Sequence, residues 1–328
     1  VTHHGVLGAT PAAVPTPVPS GPIAVLPETD ADVAFTAVVT AAGGVVAALS
    51  PATRGLVWAA SSGEGELEAV LRSHPGIAWV QLPWAGVDAF GGLLTRARGD
   101  GRVWTSAKGA YAQPVAEHAL MLLLAVLREL PRRVRAEAWE ADQRGRSLYG
   151  ARVVIVGAGG IAVELLRLLA PFGVHTTIVR RADAAVPGAG RTVSVDRLHE
   201  ALTGADVVVV AAALTAESSG LLGAAELDVL APGAVVVNVA RGGLVDTDAL
   251  VAALESGRLG GAGLDVTDPE PLPTGHPLWR APNCIVTPHV ADTEAMTVPL
   301  FAERIARNTA AFLGSGDFVG RIDLEAGY

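Results

Sequence analysis

Apolar residues along this chain fall into two alternating patterns. Short unbroken runs are rich in Val, Ile and Leu: IAVL (23–26), GLVWAAS (55–61) and IAWVQLP (77–83), then RVVIV (152–156), DVVVVAAAL (206–214), AVVVNVA (234–240), GGAGLDV (260–266) and NCIVTP (283–288). Runs of this kind predict strands buried on both faces, as in parallel sheets. Between them lie stretches with helical spacing, at 65–75, 224–230, 246–256 and about 292–313. The run 116–130 is apolar nearly all round and is expected to end at Pro131. The run 37–49 fits helix and strand equally. Strand–helix–strand repetition predicts an α/β fold of two Rossmann-like, doubly wound parallel-sheet domains.

The expected domain plan is a disordered tail over 1–22, broken by Pro11, Pro15, Pro17, Pro19 and Pro22. A first module covers 23–101, and a dinucleotide-binding module covers 102–290. The chain length of 328 residues suits two such cores, as does a hydrophobic fraction of 50%.

Net charge and cysteine content narrow the class. A formal charge of −9 argues against nucleic acid and anionic membranes as partners. The longest apolar helical run, 119–127, is too short to span a bilayer, and residues 1–21 lack the basic and apolar regions of a secretory signal. The single cysteine, Cys284, allows no internal disulfide and fits a reducing, cytoplasmic setting. It sits in a strand-like run and reads as a small core residue. His3 and His4 are an adjacent pair in the tail, and no metal is expected.

Chemistry enters at Gly157-Ala158-Gly159-Gly160-Ile161-Ala162, which fits G-x-G-x-x-[GA] between an apolar strand and an amphipathic helix. Gly157 permits the tight turn, Gly159 lets the backbone approach a pyrophosphate, and Ala162 keeps helix and strand close. Amides at the helix start then face the phosphates. The next strand reads TTIVRRAD, with Arg180 and Arg181 where NAD-preferring loops usually carry an acid. Two guanidinium groups suit a 2′-phosphate, so NADP is favoured, and NAD stays possible through Asp183. Further on stand Arg241 in VVNVARGGLV, Asp265 and Glu270 in GLDVTDPEPLP, and His289 in TPHV. Reduction of a 2-keto acid needs an arginine for the carboxylate, a histidine as proton donor and an acid to orient that histidine.

With these motifs in this order, the chain from about Ile23 to about Gly314 resembles the D-isomer-specific 2-hydroxyacid dehydrogenases. The resemblance implies a substrate domain that is discontinuous, completed by 291–328 after the histidine. It implies that Arg241, Glu270 and His289 are the catalytic residues and that Arg241 also binds substrate. Cofactor contacts are implied at Gly157, Gly159, Gly160, Ile161, Arg180, Arg181, Ala240 and Asp265. For Asp265, capping of a loop explains the residue almost as well as a place near the nicotinamide. The turn Trp84-Ala85-Gly86 is implied to bind the substrate carboxylate through its amides, while Trp84 as a core residue beside Trp79 is an equal alternative. His118 falls in a region to which the family gives a structural hinge role. The basic arm 132–146 with Trp139 is implied to pack across a homodimer.

The expected activity is hydride transfer between NADP(H) and a small 2-keto or 2-hydroxy acid, D-specific, with glyoxylate or hydroxypyruvate as substrate. The alternatives are a dehydrogenase of branched or aromatic keto acids, or a non-catalytic dinucleotide-sensing scaffold or corepressor. Two departures from the family pattern bear on substrate. Ala291 and Asp292 follow the histidine where glycine is frequent, and a carboxylate there disfavours dicarboxylates. The chain also ends at Tyr328, which leaves no room for the regulatory domain of longer phosphoglycerate dehydrogenases.

Overall fold

The computed structural model describes residues 18–27, 32–139, 141–182 and 184–327. Asp183, His3, His4 and most of the expected tail lie outside them. Among the described residues, the chain forms two parallel sheets, of four and seven strands. It divides into two compact units, Val1–Tyr111 with Glu294–Tyr328, and Ala112–Thr293.

In the first unit, β1 (Ile23–Leu26), α1 (Asp32–Ala41), β2 (Gly55–Trp58), α2 (Glu64–Ser73), β3 (Trp79–Gln81), α3 (Gly91–Arg96) and β4 (Val103–Thr105) follow in order. The sheet order is β1-β2-β3-β4, all parallel. The ambiguous run 37–49 is both things in turn: α1 ends at Ala41, Gly43 turns at φ 88°, and Val46 bridges to Ile23 in parallel. That bridge extends the sheet beyond β1, giving the 2-1-3-4-5 order of flavodoxin-like folds. The helix Glu294–Phe312 belongs to this unit, so the unit is discontinuous. It packs on α1 through an edge-to-face Phe35–Phe301 pair 5.1 Å apart. Its buried Arg304 donates to the carbonyls of Ser106 at 2.6 Å and Lys108 at 2.9 Å. Burial pulls that guanidinium down to about 10.

The second unit holds α4 (Ala112–Leu127), α5 (Leu130–Arg133), β5 (Arg152–Val156), α6 (Gly160–Leu169), β6 (His175–Arg180), β7 (Arg191–Ser194) and α7 (Leu198–Leu202). Then come β8 (Val207–Val210), α8 (Ala224–Asp228), β9 (Ala234–Asn238), α9 (Thr247–Glu255), β10 (Leu259–Leu264) and β11 (Cys284–Val286). The sheet order β11-β10-β9-β8-β5-β6-β7 is the doubly wound dinucleotide-binding order with one added strand. The chain reverses direction across the sheet between β5 and β8, which places a crevice at their carboxyl ends. Pro131 does not end the long helix: α4 stops at Leu127, Glu129 takes a left-handed φ of 51°, and Pro131 lies in the first turn of α5.

One packing contact sets much of the second unit. Helix α4 lies on β10 with Leu122 against Gly263 and Val126 against Gly261. A Cβ at Gly263 would stand 2.8 Å from the Leu122 Cβ, and one at Gly261 would stand 2.6 Å from the Val126 Cγ1. Four helical residues rise about 6 Å and two strand residues about 6.6 Å, so the two periods run nearly in step. Among the described residues, no helix is long and apolar enough to cross a membrane.

Gly263→Ala should therefore destabilise the protein by about 1–3 kcal/mol through overpacking. Gly65→Ala, in α2 where an added Cβ meets nothing within 4 Å, should stabilise it by about 0.5 kcal/mol. Thermal melts check both; a Gly263 variant that melts at or above the parent temperature contradicts the close approach.

Candidate active site

The glycine loop sits at the switch point. Gly157 has φ 116°, and an added Cβ would overlap the Ala211 carbonyl after β8, so only glycine fits. Gly159 is the N-cap of α6 with no side-chain cap, and a Cβ there would meet nothing within 4 Å. This ten-residue helix thus starts on two glycines, Gly159 and Gly160, with open space at the first, where its first amides lie. Ala162 is fully buried under the turn, and Ile161 is half-buried. The cradle fits a pyrophosphate.

Arg180 is the last residue of β6, and Arg181 follows it at the surface. The Arg180 guanidinium donates to the Ala184 carbonyl at 3.3 Å. Ser194, at the end of β7, donates to the Arg181 carbonyl at 3.2 Å. A pair of guanidinium-bearing residues therefore caps the strand end.

Arg241 is presented by a turn after β9. Buried Asn238 shapes that turn: its amide donates to the Arg241 carbonyl at 2.9 Å, and its oxygen accepts from the Ala240 N–H at 3.0 Å. Ala240 is buried, and its carbonyl accepts from the Arg241 guanidinium at 2.7 Å. Gly242 follows because a Cβ there would overlap the Thr267 carbonyl. The hydroxyl of Thr247 also donates to the Asp268 carbonyl at 2.8 Å. The turn bearing Arg241 is thus sewn to the segment that leads into Glu270.

Glu270 and His289 meet directly, His289 Nδ1 lying 2.7 Å from Glu270 Oε1. Both side chains are partly exposed. The backbone of His289 takes φ 54°, a left-handed conformation that costs a non-glycine residue roughly 1 kcal/mol or more. The surrounding bonds hold it there. His289 N–H donates to the Asp265 carbonyl at 2.8 Å and to the Thr287 carbonyl at 3.0 Å.

The Asp265 carboxylate completes that hold and is nearly inaccessible. Oδ1 accepts from the Thr287 hydroxyl at 2.6 Å and the Val290 N–H at 3.0 Å, and Oδ2 accepts from the Ala291 N–H at 3.0 Å. His118 Nε2 stands 3.4 Å from Oδ1 and 2.9 Å from the Thr287 hydroxyl oxygen. Burial pushes this carboxyl up, but the hydrogen bonds from His118, Thr287, Val290 and Ala291 outweigh it, and the net direction is down. Asp265 thus caps the loop on either side of His289, the role weighed above against a place near the nicotinamide. Asp292 follows, half-buried. Burial raises its carboxyl, as does the charge of Asp265, while His289 and Arg241 pull it down. The loop therefore brings Asp292 into the field of both.

Trp84, Ala85 and Gly86 stand in the first unit, in the turn after β3. Trp79 is fully buried, whereas Trp84 is 39% exposed, with its ring edge-on to Tyr111 at 5.9 Å. Trp84 is therefore not a core partner of Trp79. Tyr111 donates to the Pro83 carbonyl at 2.6 Å and so braces the turn. Burial pushes the Cys284 thiol up to about 12, which leaves it without thiolate character. Sequence reasoning missed Asn238 and Thr287, and gave His118 no contact with the histidine loop. A lone Asn at the end of VVVN was the legible signal for the first.

Comparisons with known proteins agree with this architecture. Residues 119–291 match the family model for the D-isomer specific 2-hydroxyacid dehydrogenase, NAD binding domain. An uncharacterised protein of Corynebacterium melassecola is 39% identical over 77% of this chain and 84% of its own length. A human glyoxylate reductase/hydroxypyruvate reductase is 34% identical over 62% of each chain, so the match spans about three fifths of that relative. A D-isomer specific 2-hydroxyacid dehydrogenase from Xanthobacter autotrophicus Py2, solved in complex with NADPH and MES, superposes with a TM-score of 0.78 at 30% identity, covering 94% of this chain and all of that one. The chain belongs to the D-isomer-specific 2-hydroxyacid dehydrogenases, NAD(P)-dependent oxidoreductases, and its second unit carries the family's NAD-binding domain.

Proposed function

We propose that this protein reduces a small 2-keto acid, glyoxylate or hydroxypyruvate, with NADPH, giving glycolate or the (R)-2-hydroxy acid. The observation that carries the reading is the 2.7 Å contact between His289 Nδ1 and Glu270 Oε1. With Glu270 on Nδ1, Nε2 is the nitrogen that faces substrate chemistry. The names of the human and Xanthobacter relatives support the substrate class and the phosphorylated cofactor.

The cofactor would be held by the Gly157–Gly159 turn and the first amides of α6, with Arg180 and Arg181 toward the 2′-phosphate and Ala240 toward the nicotinamide end. When bound, it supplies the hydride that adds to the keto carbon. Arg241 binds the substrate carboxylate with its planar fork and stabilises negative charge as it grows on the carbonyl oxygen. His289 donates its Nε2 proton to that oxygen, and in the reverse direction takes it back. Glu270 stabilises the imidazolium before transfer and fixes the ring after it. In the first unit, the amides of Ala85 and Gly86 are the further candidates for contact with the substrate carboxylate, with Trp84 beside them. Asp292 lies in the field of Arg241 and His289, and a carboxylate there disfavours dicarboxylates when ionised, although burial raises its pKa.

Assembly as a homodimer belongs to the same reading. Trp139 is 96% exposed on the arm 132–146, which also exposes Val134, and Leu130 is exposed just before it. Asp142 folds this arm by gathering Arg132, Arg133 at 2.9 Å and Arg144 at 3.2 Å. An exposed tryptophan among apolar neighbours marks a contact surface, and a closed twofold pair buries both copies.

Oxidation of NADPH and NADH in the presence of glyoxylate, hydroxypyruvate, pyruvate and larger keto acids tests the reading. NADPH should give a kcat/KM higher than NADH by roughly tenfold or more, about one charge-assisted contact. Arg180→Asp should erase or reverse that preference; equal use of both cofactors by the parent contradicts the assignment. His289→Ala should lower kcat on the order of a hundredfold with NADPH affinity retained. A near-normal kcat in that variant removes His289 from the mechanism. Sedimentation should find a dimer at micromolar concentration and a weaker one in Trp139→Ala; a parent protein that is only monomeric overturns the assembly.

A further inference from the structure

The register between α4 and β10 continues past its two glycine contacts. Val126 faces Gly261 and Leu122 faces Gly263. One helical turn back from Leu122 is His118, and two residues on from Gly263 is Asp265. The third pair in the series thus sets an imidazole against a carboxylate, Nε2 to Oδ1 at 3.4 Å, on the face where the other two pairs exclude side-chain volume. Both side chains are buried or nearly so.

The proton positions follow from the partners. The Thr287 hydroxyl has one proton, and its neighbours Asp265 Oδ1 at 2.6 Å and the Leu264 carbonyl at 3.5 Å can only accept. Thr287 therefore donates to Asp265, and its oxygen accepts from His118, which carries its proton on Nε2. Four donors converge on one buried carboxylate: His118, Thr287, Val290 N–H and Ala291 N–H. Three of them come from the loop that bears His289, and the fourth comes from a helix pinned elsewhere by glycine contacts. The polar partners of His118 are Thr287 and Asp265, so it acts on the loop through them.

We propose that His118 is a positioning residue for the reaction: its Nε2–H, bonded to Thr287 and Asp265, anchors the Thr287–Ala291 loop to α4 and keeps His289 in the left-handed backbone state that meets Glu270. This rests on the function proposed above for its catalytic half. The anchoring half is a statement about the fold and has its own readout. Loss of the Nε2 donor leaves the Asp265 carboxylate short of a partner in a buried site, and the loop opens more often. A glutamine at 118 can present an amide N–H at the same reach as Nε2, whereas a leucine fills the space and donates nothing.

The test compares His118→Leu and His118→Gln by amide hydrogen exchange at Val290 and Ala291 and by steady-state kinetics with NADPH and glyoxylate. In His118→Leu both amides should exchange about tenfold faster or more, the loss of one charge-assisted hydrogen bond. The kcat should fall by a similar factor, while the dissociation constant of NADPH stays within about twofold. His118→Gln should restore exchange and kcat to within about threefold of the parent. Unchanged exchange in the leucine variant overturns the anchor, whatever happens to activity. Faster exchange with unchanged kcat overturns the positioning role, and a glutamine variant as impaired as the leucine one overturns the hydrogen bond as its cause. If the parent protein turned over no keto acid, the functional reading would fall together with the catalytic half, and the exchange rates would still decide the anchor.

Discussion

The buried carboxylate of Asp265 is the constraint around which the candidate site is arranged. A charge withdrawn from water costs several kcal/mol unless donors replace the solvent. Here those donors are two loop amides, a hydroxyl and an imidazole. Satisfying the carboxylate therefore dictates the path of the chain from Thr287 to Ala291. That path includes the positive φ of His289, which the residue would not adopt alone. The imidazole reaches Glu270 because the backbone beneath it is held, and Glu270 is near because the Gly242 turn is pressed against Thr267.

Close backbone approach recurs wherever the second unit builds function. Gly157 lets the loop after β5 pass the Ala211 carbonyl after β8. Gly242 brings the Arg241 turn to the segment before Glu270, and Gly261 and Gly263 let α4 lie on β10. Each replaces side-chain volume with proximity, and Gly157 and Gly242 do so at the carboxyl edge of the sheet, where ligands bind in open α/β folds. The central strands β5, β8 and β9 are mostly Val, with Ile and Ala, and are almost wholly buried. Rigidity there converts small backbone offsets into fixed side-chain positions.

Much of this was legible in the sequence, for identifiable reasons. Long Val-rich runs can hardly be anything but buried strands, so β5, β8 and β9 stood out. The run 246–256 reads as a helix by its spacing; Asp246 proves to be its N-cap, with its carboxylate accepting from the Ala249 N–H at 3.0 Å. The glycine loop was readable because strand and helix flank it. Short edge strands were not: β4 and β7 mix polar with apolar residues and are defined by their neighbours. The helix end at Leu127 was misread because Pro131 is a visible breaker, whereas a left-handed glutamate carries no composition signal. The link from His118 to Asp265 spans 147 positions and exists only through the helix–strand register, which local patterns do not encode.

The proposed reaction is addition of hydride to the carbon of a 2-keto acid while a histidine protonates its oxygen. The most direct measurement is the isotopic and stereochemical fate of hydroxypyruvate turned over with NADPH deuterated at the transferable position of C4. The account predicts (R)-glycerate with a single deuterium at C2. Glycerate without deuterium at C2, the (S) isomer, or cofactor oxidation with no hydroxy acid formed would contradict it.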